Sequence, residues 1–521
     1  MKQGFRQSMA WLHTWAGLVP GWVLYIVFVF GTAAFFQYEI DAWMRPELPA
    51  GTRVSTRALD AADTLLRQRG AGAESWTVSM PDARGGSGLT VSWRKPGQDR
   101  RDRKEITLDP QTGSEVALRE TRGGFFLYRM HFDLHYMPVM WARYLVSVAA
   151  LAMLVAILSG VVTHKKIFTD FFQMRFGKGQ RSWLDAHNAT GVLALPFHVM
   201  ITYTGLVTLL FTLMPWAITA NYPTREAFYE EAFPRAGETE ASGTPAPVIP
   251  LARLVAAAER TWGGGRPSYI GIDHPGDAAA TAQLYPQRTD WSDGRGDPLH
   301  LDAAQGRALP FPARAKGGAR VTQEVMIDLH TAWFAGYGLR WLYFLSGLGG
   351  TAMVATGLAL WCVKRRTKLP DPARPHFGFR LVERLNIGFI AGAPAGIAVY
   401  FLANRLLPAG LAERAEWEVD GLFIAWGAIF AWTLARPAKR AWVEALGAAA
   451  VLFAAVPAAN ALTTSRGLGA SLWRGDWGFV GFDLTMTALA AGFAWTAWKV
   501  LRHQPKAAPA RRQRARAEAT A

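Results

Sequence analysis

Two histidines inside one long apolar stretch are the first residues that could do chemistry. His187 and His198 lie in the stretch from Leu184 to Met214, which is long enough to cross a bilayer. On a continuous helix they face the same side, roughly 16 Å apart along the axis. Because an ionisable side chain is costly in hydrocarbon, the pair predicts a buried task such as ligation of haem iron. The alternative is one functional and one interfacial histidine.

The composition places these histidines in a polytopic membrane protein. Half of the 521 residues are hydrophobic, and they cluster in runs of about twenty. The formal charge of +16 comes from Lys and Arg gathered at the ends of apolar runs, a topology signal that argues against a nucleic-acid partner. The single cysteine, Cys362, excludes a CxxC site. Redox chemistry would therefore need a cofactor held by other side chains.

About eight transmembrane helices are expected, with two polar insertions on the outer side. The N-terminal run is too long for a signal peptide, so we read it as an uncleaved first span. Basic residues stand before the first span (Lys2, Arg6), after His164 (Lys165, Lys166), after Val363 and in the tail. They place both termini in the cytoplasm. The predicted segments are transmembrane helices at 1–36, 130–166, 184–214 and 328–366, polar domains at 43–129 and 223–327, a four-helix membrane region at 387–501 and a basic cytoplasmic tail at 502–521 (Lys506, Arg511, Arg512, Arg514, Arg516).

The first half of the chain repeats itself. His13 precedes Gly17 and Gly31 by the same offsets with which His187 precedes Gly191 and Gly205. Further matches are Asp133-Leu134-His135 with Asp328-Leu329-His330, Arg143 and Gly160 with Arg340 and Gly357, the helices 56–69 and 250–261, and the strand-and-turn segments 106–116 and 299–309. The repeated unit is therefore a span, a small helix-plus-strands domain and a second span.

The histidines sort by expected depth in the membrane. His13, His164 and His187 lie near the cytoplasmic face, His198 within the bilayer, and His131, His135 and His330 near the outer face. Repeat symmetry suggests His13 with His187 and His135 with His330. Continuous helices put His135 roughly 43 Å from His164, which would favour His198 as a ligand at intermediate depth. The sequence does not decide the pairing.

Other residues have two possible roles each. His164 is a ligand or a solvated surface residue, and His131 is structural or supports a ligand. Arg143 and Arg340 either bind haem propionates or anchor the spans at the interface. We expect Asp133 and Asp328 to cap helices rather than orient histidines. The glycines allow either close helix packing or room for a porphyrin. Surface positions are predicted for His274, His300, His376 and His503.

These motifs resemble the PepSY-associated transmembrane helix family over roughly Trp11 to Arg366. Its members include bacterial inner-membrane iron-uptake proteins, among them haem-containing ferric-siderophore reductases. The resemblance implies an all-α polytopic protein with two small α+β PepSY-like periplasmic domains. It also implies haem b, two copies, with iron ligands among His13, His135, His187, His198 and His330. The resemblance implies no role for the four C-terminal spans.

The leading hypothesis is an inner-membrane di-haem oxidoreductase that passes electrons outward to a periplasmic ferric siderophore. No dinucleotide or flavin motif is present in the sequence, so the donor would be a quinol, a partner reductase or a small reductant. One alternative is a permease for a metal or an iron-siderophore. A feature against it is that the first four spans have no Asp or Glu well inside them to partner the histidines. The other is a non-catalytic regulatory membrane protein, which leaves the buried histidines unexplained.

Overall fold

The computed structural model describes residues 4–49, 53–81, 88–99, 102–164, 169, 173–232, 240–287, 298–310 and 317–504. The basic tail after residue 504 and the Lys165–Lys166 pair lie outside these ranges. The helices, numbered along the described chain, are α1 Phe5–Leu18, α2 Gly21–Ala34, α3 Gln37–Met44, α4 Thr56–Arg69, α5 Gly123–Asp133, α6 Val139–Thr163, α7 Gln180–Leu193, α8 Leu195–Thr208, α9 Leu210–Leu213, α10 Pro215–Thr219, α11 Arg225–Ala232, α12 Leu251–Thr261, α13 Gly318–Thr331, α14 Tyr337–Arg366, α15 Phe377–Ile387, α16 Ala393–Leu406, α17 Arg414–Ala435, α18 Ala438–Thr463, α19 Leu468–Arg474 and α20 Trp477–Arg502.

The expected membrane spans are present. Six helices of the described chain are long and apolar enough to cross a membrane: α6, α14, α15 continued through a π-helical turn into α16, α17, α18 and α20. Two bent helix pairs, α1 with α2 and α7 with α8, bring the count to eight if each pair is one span. Within the predicted four-helix region, α17 begins at Arg414, and its first turns hold a fully buried ion pair between Arg414 and Glu418.

The first and third spans are bent, which corrects the expectation of straight helices. The angle between α1 and α2 is 60°, and that between α7 and α8 is 67°. Pro20 stands directly before α2 and Pro196 lies in the first turn of α8. Proline has no N–H to bond the preceding turn, so a break at these points is expected. The 16 Å axial separation of His187 and His198 therefore does not hold.

The two polar insertions build one sheet. Each contributes three strands, β1 Ser75–Ser79, β2 Leu89–Arg94 and β3 Lys104–Leu108 from the first and β4 Pro267–Asp273, β5 Thr281–Pro286 and β6 Leu299–Asp302 from the second. The order is β3-β2-β1-β4-β5-β6, all antiparallel, with β1 paired to β4. Helices α4 and α12 pack on it through a shared core. The expected two separate domains are thus joined, because pairing β1 with β4 removes an exposed edge from each half.

The predicted turns after β3 and β6 match each other. The carboxylate of Asp109 accepts the N–H groups of Gln111 and Thr112 at 2.7 and 2.8 Å, and Gly113 follows with φ of 75°. Asp302 accepts N–H groups from Ala304 and Gln305 in the same manner. The hydrogen bonds, led by that from Thr112, lower the pKa of Asp109. The repeat therefore extends to the details of its turns.

The C-terminal spans pack against the first half. Trp43 of α3 is buried, stacks on Phe482 of α20 at 4.1 Å, and lies beneath the guanidinium of Arg405, 3.6 Å from its ring centroid. The same hydrophobic core contains residues of α2, α5, α14, α16, α18 and α20. The C-terminal region is therefore continuous with the repeated half in packing.

Candidate cofactor sites formed by two histidine pairs

The first histidine pair joins the two repeats. His13 on α1 and His187 on α7 have ring centroids 6.1 Å apart. Nδ1 of His13 lies 2.8 Å from the carbonyl oxygen of Ala156 on α6, and Nδ1 of His187 lies 2.8 Å from that of Met353 on α14. A carbonyl only accepts, so each Nδ1 carries the proton. Nε2 of each ring therefore keeps its lone pair for a metal.

A glycine lies against each of these rings. A Cβ added to Gly160 would lie 3.1 Å from Cε1 of His13, and one added to Gly357 would lie 3.0 Å from Cε1 of His187. Both distances are below ordinary van der Waals contact. Each glycine stands four residues, one helical turn, after the carbonyl that its histidine bonds. The matched Arg-to-Gly offsets in the sequence therefore reflect the positioning of an imidazole.

The second pair repeats this arrangement on other helices. His131 on α5 and His330 on α13 have ring centroids 6.5 Å apart and planes at 24°. Nδ1 of His330 lies 3.1 Å from the carbonyl oxygen of Ile201, and a Cβ on Gly205 would lie 2.9 Å from Cε1 of that ring. Gly31 faces His131 at 3.6 Å. Nδ1 of His131 instead donates to the carbonyl of Tyr128 in its own helix.

The ring spacing of both pairs fits a metal ion between two imidazoles. An imidazole nitrogen lies about 2 Å from a bound metal and roughly 1 Å from its own ring centroid, so two coaxial rings would be about 6 Å apart. The observed separations are 6.1 and 6.5 Å. Within the described ranges no group of three or more His, Cys, Asp or Glu is placed to hold a metal ion. Two imidazoles alone suit haem iron, since the porphyrin supplies four further nitrogens.

A cavity of about 610 Å³ surrounds the second pair. Its lining includes His131, His330, Gly31, Gly205 and Arg143. The volume lies within the range of about 300 to 1,000 Å³ that holds cofactor-sized ligands. The guanidinium of Arg143 donates to Asp133 at 2.9 Å, and Arg129 also pairs with that carboxylate. Arg143 is therefore held at the cavity wall, where it suits a carboxylate of the ligand.

His135 lies away from His330, contrary to the symmetry of the Asp-Leu-His tripeptides. Its ring stacks on Phe423 of α17 with centroids 5.7 Å apart. Helix α5 ends at Asp133 and the chain turns at Leu134 with φ of 43°, so His135 follows the helix, whereas His330 is inside α13. Burial lowers the pKa of His135, and the negative charge of the nearby Glu416 partly opposes this shift. Residues 134–138 and 332–336 link matching helices, and with the helix ends aligned His330 corresponds to Phe132, the neighbour of His131, rather than to His135.

His198 is the most deeply buried histidine and is not part of a pair. Its side chain is fully buried, next to Phe28 and Phe197 at centroid distances of 6.0 and 5.9 Å. The carbonyls of Gly191 and Ser346 face it, yet neither ring nitrogen has a hydrogen-bond partner of normal geometry among the described residues. It stands on α8, between His187 of α7 and the residues Ile201 and Gly205 that face His330. Its role as a ligand at intermediate depth stays a prediction.

The remaining predicted residues have other partners. Nε2 of His164 accepts the amide of Asn188 at 2.7 Å, and His164 is half-buried at the end of α6. Arg340 is buried, donates to Glu39 at 2.6 Å and does not line the second-pair cavity. Arg143 and Arg340 therefore have different environments despite their matching places in the repeat.

Two further expectations are corrected. Asp133 ends α5 and Asp328 lies within α13, so neither caps a span; the spans α6 and α14 begin after Pro138 and Gly336. His300 is buried on β6, on the face of the strand opposite to Leu301 of the sheet core, whereas His376 and His503 are exposed and His274 is half-buried. The exposed His376 caps α15 by accepting the N–H of Phe379 at 3.3 Å.

Comparisons with known proteins cover the part of the chain that holds both pairs. The profile of a family described as the PepSY-associated TM region matches residues 10–364. An uncharacterized protein of Pseudomonas aeruginosa is 29% identical over 369 residues, which are 68% of this chain and 90% of that relative. All four paired histidines lie within the family match, and the four C-terminal spans lie beyond it.

Proposed function

This chain belongs to the PepSY-associated TM region family, and from that premise we propose that it is a di-haem membrane oxidoreductase. It passes electrons from the cytoplasmic side of the bacterial inner membrane to a periplasmic ferric siderophore. The observation that carries the proposal is the double pair of imidazoles, 6.1 and 6.5 Å between centroids, each facing a glycine. Bound haem b would supply reversible one-electron chemistry at each pair.

The residues of this chain hold and orient the two groups. His13 and His187 would ligate one iron, and His131 and His330 the other. The carbonyls of Ala156, Met353 and Ile201 fix three of these rings through Nδ1, which would leave Nε2 of each ring available to ligate iron. Arg143 is placed to bind a propionate. The largely apolar walls of the cavity around the second pair would keep water away and so favour electron transfer over side reactions.

The two pairs contact different parts of the spans. His13 and His187 contact α6 and α14 beyond their midpoints, in the halves that lead away from the sheet, whereas His131 and His330 lie on α5 and α13, which lead from the sheet into the spans. With the sheet in the periplasm, electrons would move from the first pair to the second. Reduction of Fe(III) to Fe(II) would release the metal, because siderophore oxygens hold the harder ion much more tightly.

The test is the optical spectrum and haem content of the protein purified in detergent from haem-replete cells. We expect about two b-type haems per chain, reducible by dithionite and reoxidised by a ferric siderophore with formation of Fe(II). Ferrous iron is trapped with a colorimetric chelator to measure the product. A colourless preparation would rule out the di-haem reductase and leave the permease and regulatory alternatives.

A further inference from the structure

A second cavity, of about 470 Å³, lies between the repeated half and the C-terminal spans. Its walls come from α2, α14, α16, α18 and α20, and they are almost entirely aromatic or aliphatic. Representative residues are Tyr25, Trp341, Phe401, Phe453 and Phe493. A cavity of this volume and lining is suited to a flat lipophilic ring rather than to an ion or a sugar.

One wall of this cavity carries a carboxylate that can accept a further hydrogen bond. Glu39 is 8% exposed, and its Oε1 accepts the guanidinium of the buried Arg340 at 2.6 Å. Its Oε2 is buried and has no partner of normal hydrogen-bond geometry among the described residues, although the hydroxyl of Tyr337, which lines the cavity, interacts with this carboxylate. A carboxylate has about four acceptor positions, so a ligand hydroxyl placed here would be stabilised.

The cavity opens toward the outer surface of the helix bundle. Trp477 and Leu484 of α20 and Tyr337 of α14 line it and are 69%, 50% and 50% exposed, whereas Phe401 and Phe453 at its inner end are buried. The opening thus lies between two membrane-spanning helices. Lipid-soluble molecules can enter such an opening from the bilayer, and a long apolar tail can remain there.

Helix α2 separates this cavity from the one that holds His131 and His330. Thr32 lines both cavities, and Gly31, its neighbour in α2, faces the ring of His131. Val29 and Ala33 face the apolar cavity, whereas Phe28 and Phe35 face the histidine cavity. A single helix is about 10 Å across with its side chains. A ligand in the apolar cavity would therefore lie within one helix diameter of the second histidine pair.

We propose that the apolar cavity binds the ring of an isoprenoid quinol, which donates electrons to the second histidine pair, whereas a cytoplasmic donor would supply the first pair. A ring hydroxyl donates to Oε2 of Glu39, the aromatic side chains enclose the ring, and the isoprenoid tail leaves between α14 and α20. This rests on the proposed reductase function. One quinol and two ferric siderophores yield one quinone, two Fe(II) and two protons; the two ring O–H bonds break, and Glu39 accepts the first proton.

The decisive experiment separates this cavity from the rest of the lipid-facing surface. The variant Leu348→Trp fills the cavity from α14, and the control Leu345→Trp places the same side chain on an exposed position of that helix. Binding of a short-chain ubiquinone to the purified protein in nanodiscs is measured by equilibrium dialysis, and quinone that copurifies is extracted and quantified. We expect Leu348→Trp to weaken binding by about tenfold or more, because the ring loses its apolar contacts.

Controls keep the result interpretable. Leu345→Trp should bind like the unmodified protein, and Glu39→Gln should lower the affinity for the reduced ring more than for the quinone, since it removes the charged acceptor. Haem content and elution volume are recorded for each variant to verify folding. Equal binding by Leu348→Trp and Leu345→Trp, or a cavity that holds only phospholipid or detergent, would overturn the proposal.

The same data distinguish failure of the reductase proposal from failure of this one. Binding is repeated with His131→Ala. If the protein contains no haem but binds ubiquinone with the Leu348 dependence, the cavity remains a quinone site and the reductase function is rejected. If two haems are present and quinone binding is lacking, the donor assignment is rejected and the reductase function stands.

Discussion

The imidazoles of His131 and His330 lie 6.5 Å apart, nearly parallel, although they belong to different repeats and are far apart in sequence. The same relation joins His13 and His187 at 6.1 Å. Each pair takes one histidine from each repeat, so neither repeat can form a site by itself. The duplication is therefore a requirement for the two sites, and the following predictions test their members.

Removing His131 should lose one haem, and removing His135 should not. His131→Ala and His330→Ala each delete one imidazole of the second pair, whereas His135 stacks on Phe423 outside it. Haem per chain, measured as the pyridine haemochrome, should fall from about two to about one in the first two variants. The exposed His376→Ala serves as a control. Loss of haem from His135→Ala with retention in His131→Ala would reverse the assignment.

His198→Leu should keep both haems and should not lower thermal stability. The imidazole is fully buried with neither nitrogen in a normal hydrogen bond, and replacement of an unsatisfied polar group by an apolar one is usually neutral or favourable. By contrast, His187→Leu, on α7 of the same bent span, should lose a haem. A missing haem in His198→Leu would restore His198 as a ligand of intermediate depth.

Gly357→Ala should disturb the first site while Gly349→Ala, on the same helix, should not. A Cβ at Gly357 would lie 3.0 Å from Cε1 of His187, whereas one at Gly349 would contact only Ala194 at 4.0 Å. Helix propensity alone favours alanine by about 1 kcal/mol at either position. We expect lower haem occupancy or a shifted reduction potential only for Gly357→Ala. Identical spectra of the two variants would show that the glycine serves packing alone.

Breaking the Arg340–Glu39 ion pair should be strongly destabilising. Both side chains are buried, so Arg340→Met would leave an uncompensated charge at a cost of about 3 to 5 kcal/mol. The double variant Arg340→Met with Glu39→Gln should recover most of that loss. The exposed pair Arg69–Glu115 is the comparison, and Arg69→Met should cost less than about 1 kcal/mol. Denaturant unfolding in detergent measures all three, and additive losses in the double variant would argue against coupling.

A change in the second insertion should loosen the first. Ile270 of β4 pairs with Val78 of β1, and both are fully buried. Ile270→Ala should cost about 2 to 5 kcal/mol through the cavity that it leaves. Hydrogen exchange of the β1 amides, Ser75–Ser79, should therefore become faster. Unchanged protection there would mean that the two halves of the sheet are independent.

Much of the site follows from local sequence signals. Repeat symmetry suggested pairing His13 with His187, because their offsets to the following glycines are the same, and the structure brings the two rings together. The choice of His131 over His135 could not, since it depends on helix α5 ending at Asp133, and helix ends are set by the turn at Leu134. The expectation of continuous helices missed the breaks at Pro20 and Pro196, although these prolines are local signals of a break, and the bend angles depend on the helices packed around them.

The sequence by itself determined the number of spans, the duplication, the membrane setting and the supply of buried histidines. These follow from hydrophobic run length, charge and spacing, which act locally along the chain. Only the tertiary structure decided that β1 and β4 join two insertions into one sheet, that each histidine pair draws on both repeats, and that Arg340 binds Glu39 beside an apolar cavity. The reason is that these are contacts between distant segments, and their geometry depends on how whole helices pack rather than on the residues next to them.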